Sequence, residues 1–138
     1  MSLYDEIGGE EALRRVLRAL YDKLFDDAIV GFLFAGKDKA TLVESQLWFT
    51  ARFLGGPSRY TGMSIPDAHA KLPLLAGHFD RRHLLLRQTL EEQKVPDAVR
   101  AEWLRVDRQL KYAVLASAEE ARLRARLPED PEDDDFRR

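Results

Sequence analysis

The stretch of sequence that decides the fold runs from Leu42 to His69 and reads LVESQLWFTARFLGGPSRYTGMSIPDAH. Its first part predicts a helix that begins near residue 38 or 39, because apolar residues recur at intervals of three and four. Gly55-Gly56-Pro57 ends that helix, since glycine adopts the left-handed cap conformation and proline cannot continue a helix. A single histidine, His69, follows after a short irregular connection.

One face of this helix combines apolar side chains with an amide. The positions that share this face are Leu42, Gln46, Phe49 and Phe53. A buried amide must find hydrogen-bond partners, or it costs about a few kcal/mol of stability. The pattern therefore predicts that Gln46 has a specific partner in the folded protein.

The rest of the chain predicts further amphipathic helices and no strand. A helix that begins at about Glu10 has an apolar stripe of Leu13, Val16, Leu17, Leu20, Tyr21 and Leu24. A later helix, from Gly77 to just before Val95-Pro96, has an inner face of Phe79, His83, Leu86 and Leu90. The next is capped by Asp97 and has an inner face of Val99, Trp103, Val106, Leu110 and Val114. An all-α fold follows.

Shorter segments complete the organisation of the chain. Leu3–Ile7 is too short to stand alone as a helix, and Gly8-Gly9 stops it. Ile29–Phe34 lies between charged and glycine-containing segments, which predicts a single helical turn and a corner. After residue 120 the sequence becomes Arg-rich and then acidic, so we expect a domain of residues 1–120 and a charged, disordered tail of residues 121–138.

The composition, 138 residues of which 45% are hydrophobic and 33% charged, is that of a soluble protein with one domain. A net charge of −2 does not mark a nucleic-acid binder or a basic membrane-surface protein. The absence of cysteine excludes disulfides, thiolate nucleophiles and cysteine metal sites. Neither a signal peptide nor an apolar run of roughly 18 residues is visible. We therefore expect a cytoplasmic protein.

Several motifs give the chain a resemblance to a known family. They are LYDEIGGEEA at residues 3–12, LGGPSRYTG at 54–62, Ala68-His69, and HFDR at 78–81. Together they resemble the truncated haemoglobins, over about Leu3 to Leu115. The resemblance implies a globin-like two-over-two sandwich of helices around a haem b. The chain is most similar to the first group of the family, while the loop after His69 is similar to the third.

The resemblance also implies roles for particular residues. It makes His69 the proximal ligand of the haem iron and places Tyr21, Leu42 and Gln46 on the opposite, distal side. The expected haem contacts are Phe34, Leu42, Phe49, Arg59, Tyr60 and Leu86, with Arg59 and Tyr60 directed at the propionates. Without the family motif, a lone histidine is more often a surface residue, the phenylalanines and leucines would serve any helical core, and Arg59 would be a solvated loop charge.

The chemistry of these residue types agrees with the implied site. Iron held by one imidazole keeps its sixth position open for a gas. Bound O₂ takes on partial negative charge, so the Tyr21 phenol and the Gln46 amide would stabilise it by donating hydrogen bonds. Gln46 on an apolar face is thereby explained, with Tyr21 or the gas as its partner.

Arg82 departs from the family pattern, because members usually have an apolar residue or tryptophan at about this position, facing the haem. A guanidinium there is costly unless it reaches a propionate or solvent. The neighbouring His78 and His83 could be imagined as a zinc cluster with His69, but no zinc motif has this spacing. We expect His78 to help begin its helix instead.

Three hypotheses remain open at this point. The first is a haem protein that binds O₂, NO or CO for oxygen transport or sensing. The second is an enzyme on the same site, an NO dioxygenase or weak peroxidase, which would need a reductase partner because no flavin or nicotinamide motif is visible. The third is a haem-free globin-like interaction module. In each we expect a monomer or weak homodimer, without nucleic-acid or membrane partners.

Overall fold

The computed structural model describes residues 1–57 and 75–126, except for the side chains of residues 114, 117–122 and 124–126. Every regular element in these ranges is a helix. They are α1 (Leu3–Ile7), α2 (Gly9–Asp26), a 3₁₀ helix (Gly31–Phe34), α3 (Lys39–Phe53), α4 (Ala76–Glu92) and α5 (Asp97–Arg126). The 3₁₀ helix confirms the expected turn and corner. Among the described residues, no helix has the length and apolar content needed to cross a bilayer.

The helices pack as two pairs, which confirms the predicted two-over-two arrangement. Helix α2 packs against α3, α4 packs against α5, and α2 also contacts α4. The predicted stripe of α2 is buried in full and supplies the centre of the core. Because α2 contacts a member of each pair, residues on its buried face lie between the two layers.

The segment expected to be too short for a helix of its own forms α1, because both ends are capped. Ser2 and Asp5 form a capping box at its start, and Gly8 ends it with a φ of 114°. The backbone N–H of Tyr4 donates to the carbonyl of Leu54 at 3.0 Å. A Cβ on Gly56 would lie 2.5 Å from Cγ of Tyr4, so a side chain other than hydrogen would prevent this contact. The glycines after α3 therefore end that helix and also allow α1 to pack closely against the segment that follows it.

An ion pair joins the corner after α2 to the start of α4. The Asp27 carboxylate accepts from the backbone N–H groups of Ile29 and Val30, each at 3.1 Å. Arg81 donates to the same carboxylate through Nε at 3.1 Å and Nη2 at 2.7 Å. This pairing holds α4 beside the end of α2.

Helix α5 differs from its predicted pattern in two respects. It continues to Arg126, so the domain boundary expected at residue 121 falls within a helix, and residues 127–138 lie outside the described range. Val99 and Trp103 are buried as predicted, at 0% and 2% exposure, but Val106 and Leu110 are only half-buried. The next fully buried position after Trp103 is instead an acid, Asp107, and Val114 lies outside the described side chains.

Candidate functional site

An aromatic cluster surrounds the Tyr21 side chain. Tyr21 lies on the buried stripe of α2 and is 7% exposed, which agrees with its predicted inward orientation. Its ring meets the edge of Phe34 at a centroid distance of 6.0 Å, and Phe34 stacks on Phe25 at 5.1 Å. Edge-to-face and offset contacts of this kind are favourable for aromatic rings. The cluster therefore fixes the direction of the Tyr21 phenol.

Phe25 was not among the predicted site residues. It follows Tyr21 by four positions, which places both residues on one side of α2. This spacing of four residues is the sequence feature that could have identified Phe25 as a neighbour of Tyr21. It was missed because Phe25 falls outside the strictly buried stripe and is only half-buried.

Helix α3 has two apolar faces of different depth. The most deeply buried face comprises Val43, Leu47, Thr50, Ala51 and Leu54. The face predicted to surround Gln46 is the second one, and its members Leu42, Gln46, Phe49 and Phe53 are half-buried. Phe53 contacts Phe49 at 5.7 Å and Trp103 of α5 at 6.4 Å, so this face extends toward the other layer.

Gln46 donates from Nε2 to Oγ1 of Thr50, one turn further along the same helix. The expected partner was Tyr21 or a bound gas, and the partner in the structure is this threonine. The distance of 3.4 Å is at the long end for a hydrogen bond, so the interaction is weak. The amide can therefore exchange it for a better acceptor at small cost.

Arg82 forms an ion pair with a residue that the sequence did not single out. Its Nη1 donates to Oδ1 of Asp107 on α5, and the two side chains are 22% and 6% exposed. The guanidinium also forms a side-chain hydrogen bond with Tyr21. We expected Arg82 to need a propionate or solvent, and the structure supplies a buried carboxylate instead.

Both members of this pair remain charged. Burial lowers the pKa of Arg82, but the charge of Asp107 and the contact with Tyr21 outweigh this effect, so the net pKa lies above that of an ordinary arginine. Burial raises the pKa of Asp107, but Arg82 and His83 outweigh it, so the net pKa lies below the ordinary 3.8. A stable cation is thereby held beside the Tyr21 phenol.

His83 completes the polar cluster around Asp107. Its Nδ1 lies 2.7 Å from Oδ2 of Asp107. Within the described part of the chain, the buried Nε2 of His83 has no hydrogen-bond partner. Among the described residues, the contact between Nδ1 and the Asp107 carboxylate is therefore what holds the orientation of this ring.

A sequence signal for Asp107 existed. It follows Trp103 by four residues and therefore shares the inner face of α5, as Arg82 shares the inner side of α4. Opposite charges on the inner faces of two helices indicate a buried pair only once those helices are known to be neighbours. That neighbourhood is a property of the fold.

Of the remaining predicted residues, Leu86 and His78 are described by the structure, and His69, Arg59 and Tyr60 are not. Leu86 is fully buried in the core, one turn after Arg82. His78 accepts from the backbone N–H of Leu75 at 3.1 Å through Nδ1, which agrees with its expected role at the start of α4. His69, Arg59 and Tyr60 lie outside the described residues, as does any site that includes them. Among described residues, no group of three acidic or histidine side chains could hold a metal.

The chain is similar to known proteins in sequence and in structure. The sequence profile of the family described as Bacterial-like globin matches residues 2–116. A Group 1 truncated hemoglobin of Tetrahymena pyriformis is 34% identical over 98 residues, which cover 71% of this chain and 81% of that protein.

The solved structures agree in their overall arrangement of helices. The truncated hemoglobin of Tetrahymena pyriformis in its Fe(III) form has a TM-score of 0.76 at 31% identity, and the match covers 83% of this chain and 97% of that one. The 2/2 hemoglobin of a Synechococcus species, in the cyanomet state with covalently attached heme, has a TM-score of 0.79 at 30% identity. That match covers 84% of this chain and 99% of the other.

Proposed function

This chain belongs to the bacterial-like globins and is a truncated haemoglobin, and on that basis we propose that it binds haem b through His69 and reversibly binds O₂. NO and CO are the other diatomic ligands of the proposed site. When bound, haem supplies an iron with one open coordination position for a gas. The observation that supports this proposal is the buried Tyr21 phenol, held against Phe34 by a fold of this family.

The described residues fit a flat, largely apolar cofactor. The second face of α3 offers half-buried Leu42 and Phe49, and Phe34 stands at the edge of the Tyr21 ring. An apolar group of the size of haem would cover the part of this face that the core leaves open. Leu86, which is fully buried on α4, is the remaining described apolar residue that we propose as a haem contact.

Tyr21 and Gln46 would set how tightly the site holds its gas. Tyr21 is fixed by its ring contacts, whereas the hydrogen bond that Gln46 donates among the described residues is the long one to Thr50. Two donors aimed at a ligand with partial negative charge slow its release. We therefore propose oxygen binding, for transport or sensing, as the primary function.

A second candidate function uses the same site. An NO dioxygenase or weak peroxidase activity is favoured by one specific observation, the charged Arg82 beside Tyr21, because a cation stabilises negative charge that develops during a reaction. The electrons for it would come from a partner reductase. The haem-free module is favoured by Arg82 and the charged tail, and the pair with Asp107 lowers the cost of burying Arg82.

The visible absorption spectrum tests the proposal. The purified protein, supplied with haem, is measured in ferric, ferrous and CO-bound forms, beside His69→Ala and a His78→Ala control. We expect one haem per chain with a histidine–iron spectrum in the wild type and the control, and loss or strong weakening of haem retention in His69→Ala. An unchanged His69→Ala spectrum would end the assignment of the ligand. A wild type that refuses haem would favour the interaction module.

A further inference from the structure

A charged side chain contacts the residue that the proposed function uses as its main donor. The Arg82 guanidinium forms a side-chain hydrogen bond with Tyr21, whose ring is held in place by Phe34. Arg82 lies on α4 and Tyr21 on α2, so the contact bridges the two layers of the fold. The guanidinium is therefore part of the surroundings of the phenol.

Asp107 holds this guanidinium in one position. The carboxylate is 6% exposed, receives Nη1 of Arg82 on Oδ1, and is itself held by Nδ1 of His83 at 2.7 Å on Oδ2. A guanidinium has five N–H donors. The contacts with Asp107 and Tyr21 use fewer than five of these N–H groups. The guanidinium can therefore donate to a further acceptor while it stays bound to the Asp107 carboxylate.

We propose that Arg82 is a third donor of the distal site and that it adapts the site to bind small monovalent anions on ferric haem. This inference depends on the proposed function, because it requires haem beside Tyr21. Arg82 supplies charged, planar donors whose positive charge Asp107 balances in part, whereas Tyr21 and Gln46 supply neutral donors. In a site largely shielded from water, that charge favours an anion much more than a neutral diatomic gas.

The adjacent arginine provides a matched control. Arg81 lies on the same helix and is also ion-paired, but its Nε and Nη2 donate to Asp27 at the corner after α2. Removing the Arg81 guanidinium costs one arginine–carboxylate pair, as removing Arg82 does. Of these two arginines, Arg82 forms a hydrogen bond with Tyr21, and the pairing described for Arg81 is with Asp27.

Azide titration of the ferric, haem-loaded protein tests the inference, with CO binding to the ferrous protein as the neutral reference. The variants are Arg82→Gln and Arg81→Gln. Because a buried carboxylate without its cation destabilises the fold, the neutral pair Arg82→Gln/Asp107→Asn is measured as well. We expect azide affinity to fall about tenfold or more in both Arg82 variants, since a charge-assisted hydrogen bond is lost. Azide affinity in Arg81→Gln should change by less than about threefold, and in both Arg82 variants azide affinity should fall more than CO affinity.

The outcomes separate this inference from the proposed function. Normal haem spectra with unchanged azide affinity in both Arg82 variants would overturn the inference and leave the proposed function intact. So would a loss of haem retention without a change in azide affinity, which would assign the guanidinium to a propionate. A wild type that takes up no haem would overturn both.

Discussion

The Arg82 guanidinium on α4 and the Asp107 carboxylate on α5 form an ion pair at the interface of these two helices, with side chains 22% and 6% exposed. A second ion pair joins the same helices at the surface, where Lys111 Nζ lies 2.7 Å from Asp80 Oδ1. The Asp80 side chain is 62% exposed. The two pairs differ in burial and in cation, and Asp107 also contacts His83, so the surface pair is a reference for an exposed interaction between the same helices.

Asp107→Asn should lower the free energy of unfolding by about 3 kcal/mol, because it leaves a buried guanidinium without its counter-charge. Asp80→Asn is the matched control and should cost less than about 1 kcal/mol, since exposed pairs contribute little. Urea unfolding of both variants gives the two values from the shift in midpoint at constant slope. Equal losses would contradict a special role of burial at Asp107.

The stability of the protein should fall in acid through Asp27. Hydrogen bonds from Arg81, opposed by burial and supported by the N–H groups of Val30 and Ile29, hold the pKa of Asp27 below its ordinary 3.8. As pH falls, the unfolded chain binds the proton first, so the contribution is complete above the unfolded pKa and is lost through the folded pKa.

Denaturant unfolding at several pH values between about 6 and about 2 checks this prediction on the wild type and Asp27→Asn. The wild type should lose more stability than the variant over the acidic part of this range. Identical pH profiles would show that the Asp27 carboxylate does not contribute. Arg81→Gln should flatten the profile in the same direction, because it removes the main cause of the lowered pKa.

Tyr21→Phe should speed O₂ dissociation from the haem-loaded protein roughly tenfold or more. The reason is that one hydrogen bond to a ligand with negative charge contributes about 1.5–3 kcal/mol. Stopped-flow kinetics measure the rate, with Tyr112→Phe as a control because Tyr112 is 77% exposed. An unchanged rate in Tyr21→Phe would mean that Tyr21 packs against Phe34 and contacts Arg82 but does not donate a hydrogen bond to the bound gas.

Gly56→Ala should destabilise the protein by about 1–3 kcal/mol, because the added Cβ would lie 2.5 Å from the ring of Tyr4. Gly77→Ala is the matched control, since a Cβ there meets nothing within 4 Å and alanine favours a helix. Thermal unfolding measures both. The cost of Gly56→Ala should shrink when Tyr4 is first replaced by alanine. A cost that persists in that background would point to backbone conformation instead of the ring.

The sequence predicted the elements of the fold well, because helices depend on local spacing. The apolar stripe of α2, the start of α3 near residue 38 or 39 and the glycines after α3 are each readable within a few residues. The sequence predicted less well which face of a helix is the most deeply buried. The face of Leu42, Gln46, Phe49 and Phe53 was visible as a pattern, yet only the fold showed that a different face of α3 is the deeper one.

The candidate site divides in the same way. Tyr21 could be placed inward from its position in the stripe, and the structure agrees. Gln46 could be flagged as an amide on an apolar face, but its partner Thr50 is one of several polar groups within reach of a helical side chain. Phe25 and Asp107 were missed, since neither stands out until Phe34 and Arg82 are brought beside them.

By itself, the sequence determined that this protein is a helical globin with Tyr21 on α2 and Gln46 on α3, because helix periodicity, caps and family motifs all act over short stretches of chain. Only the tertiary structure decided what happens to Arg82. Its carboxylate partner lies 25 residues away on another helix, and its other neighbour, Tyr21, lies on α2 in the opposite layer. Whether a buried charge is costly or useful depends on what surrounds it in space, and that is settled by packing.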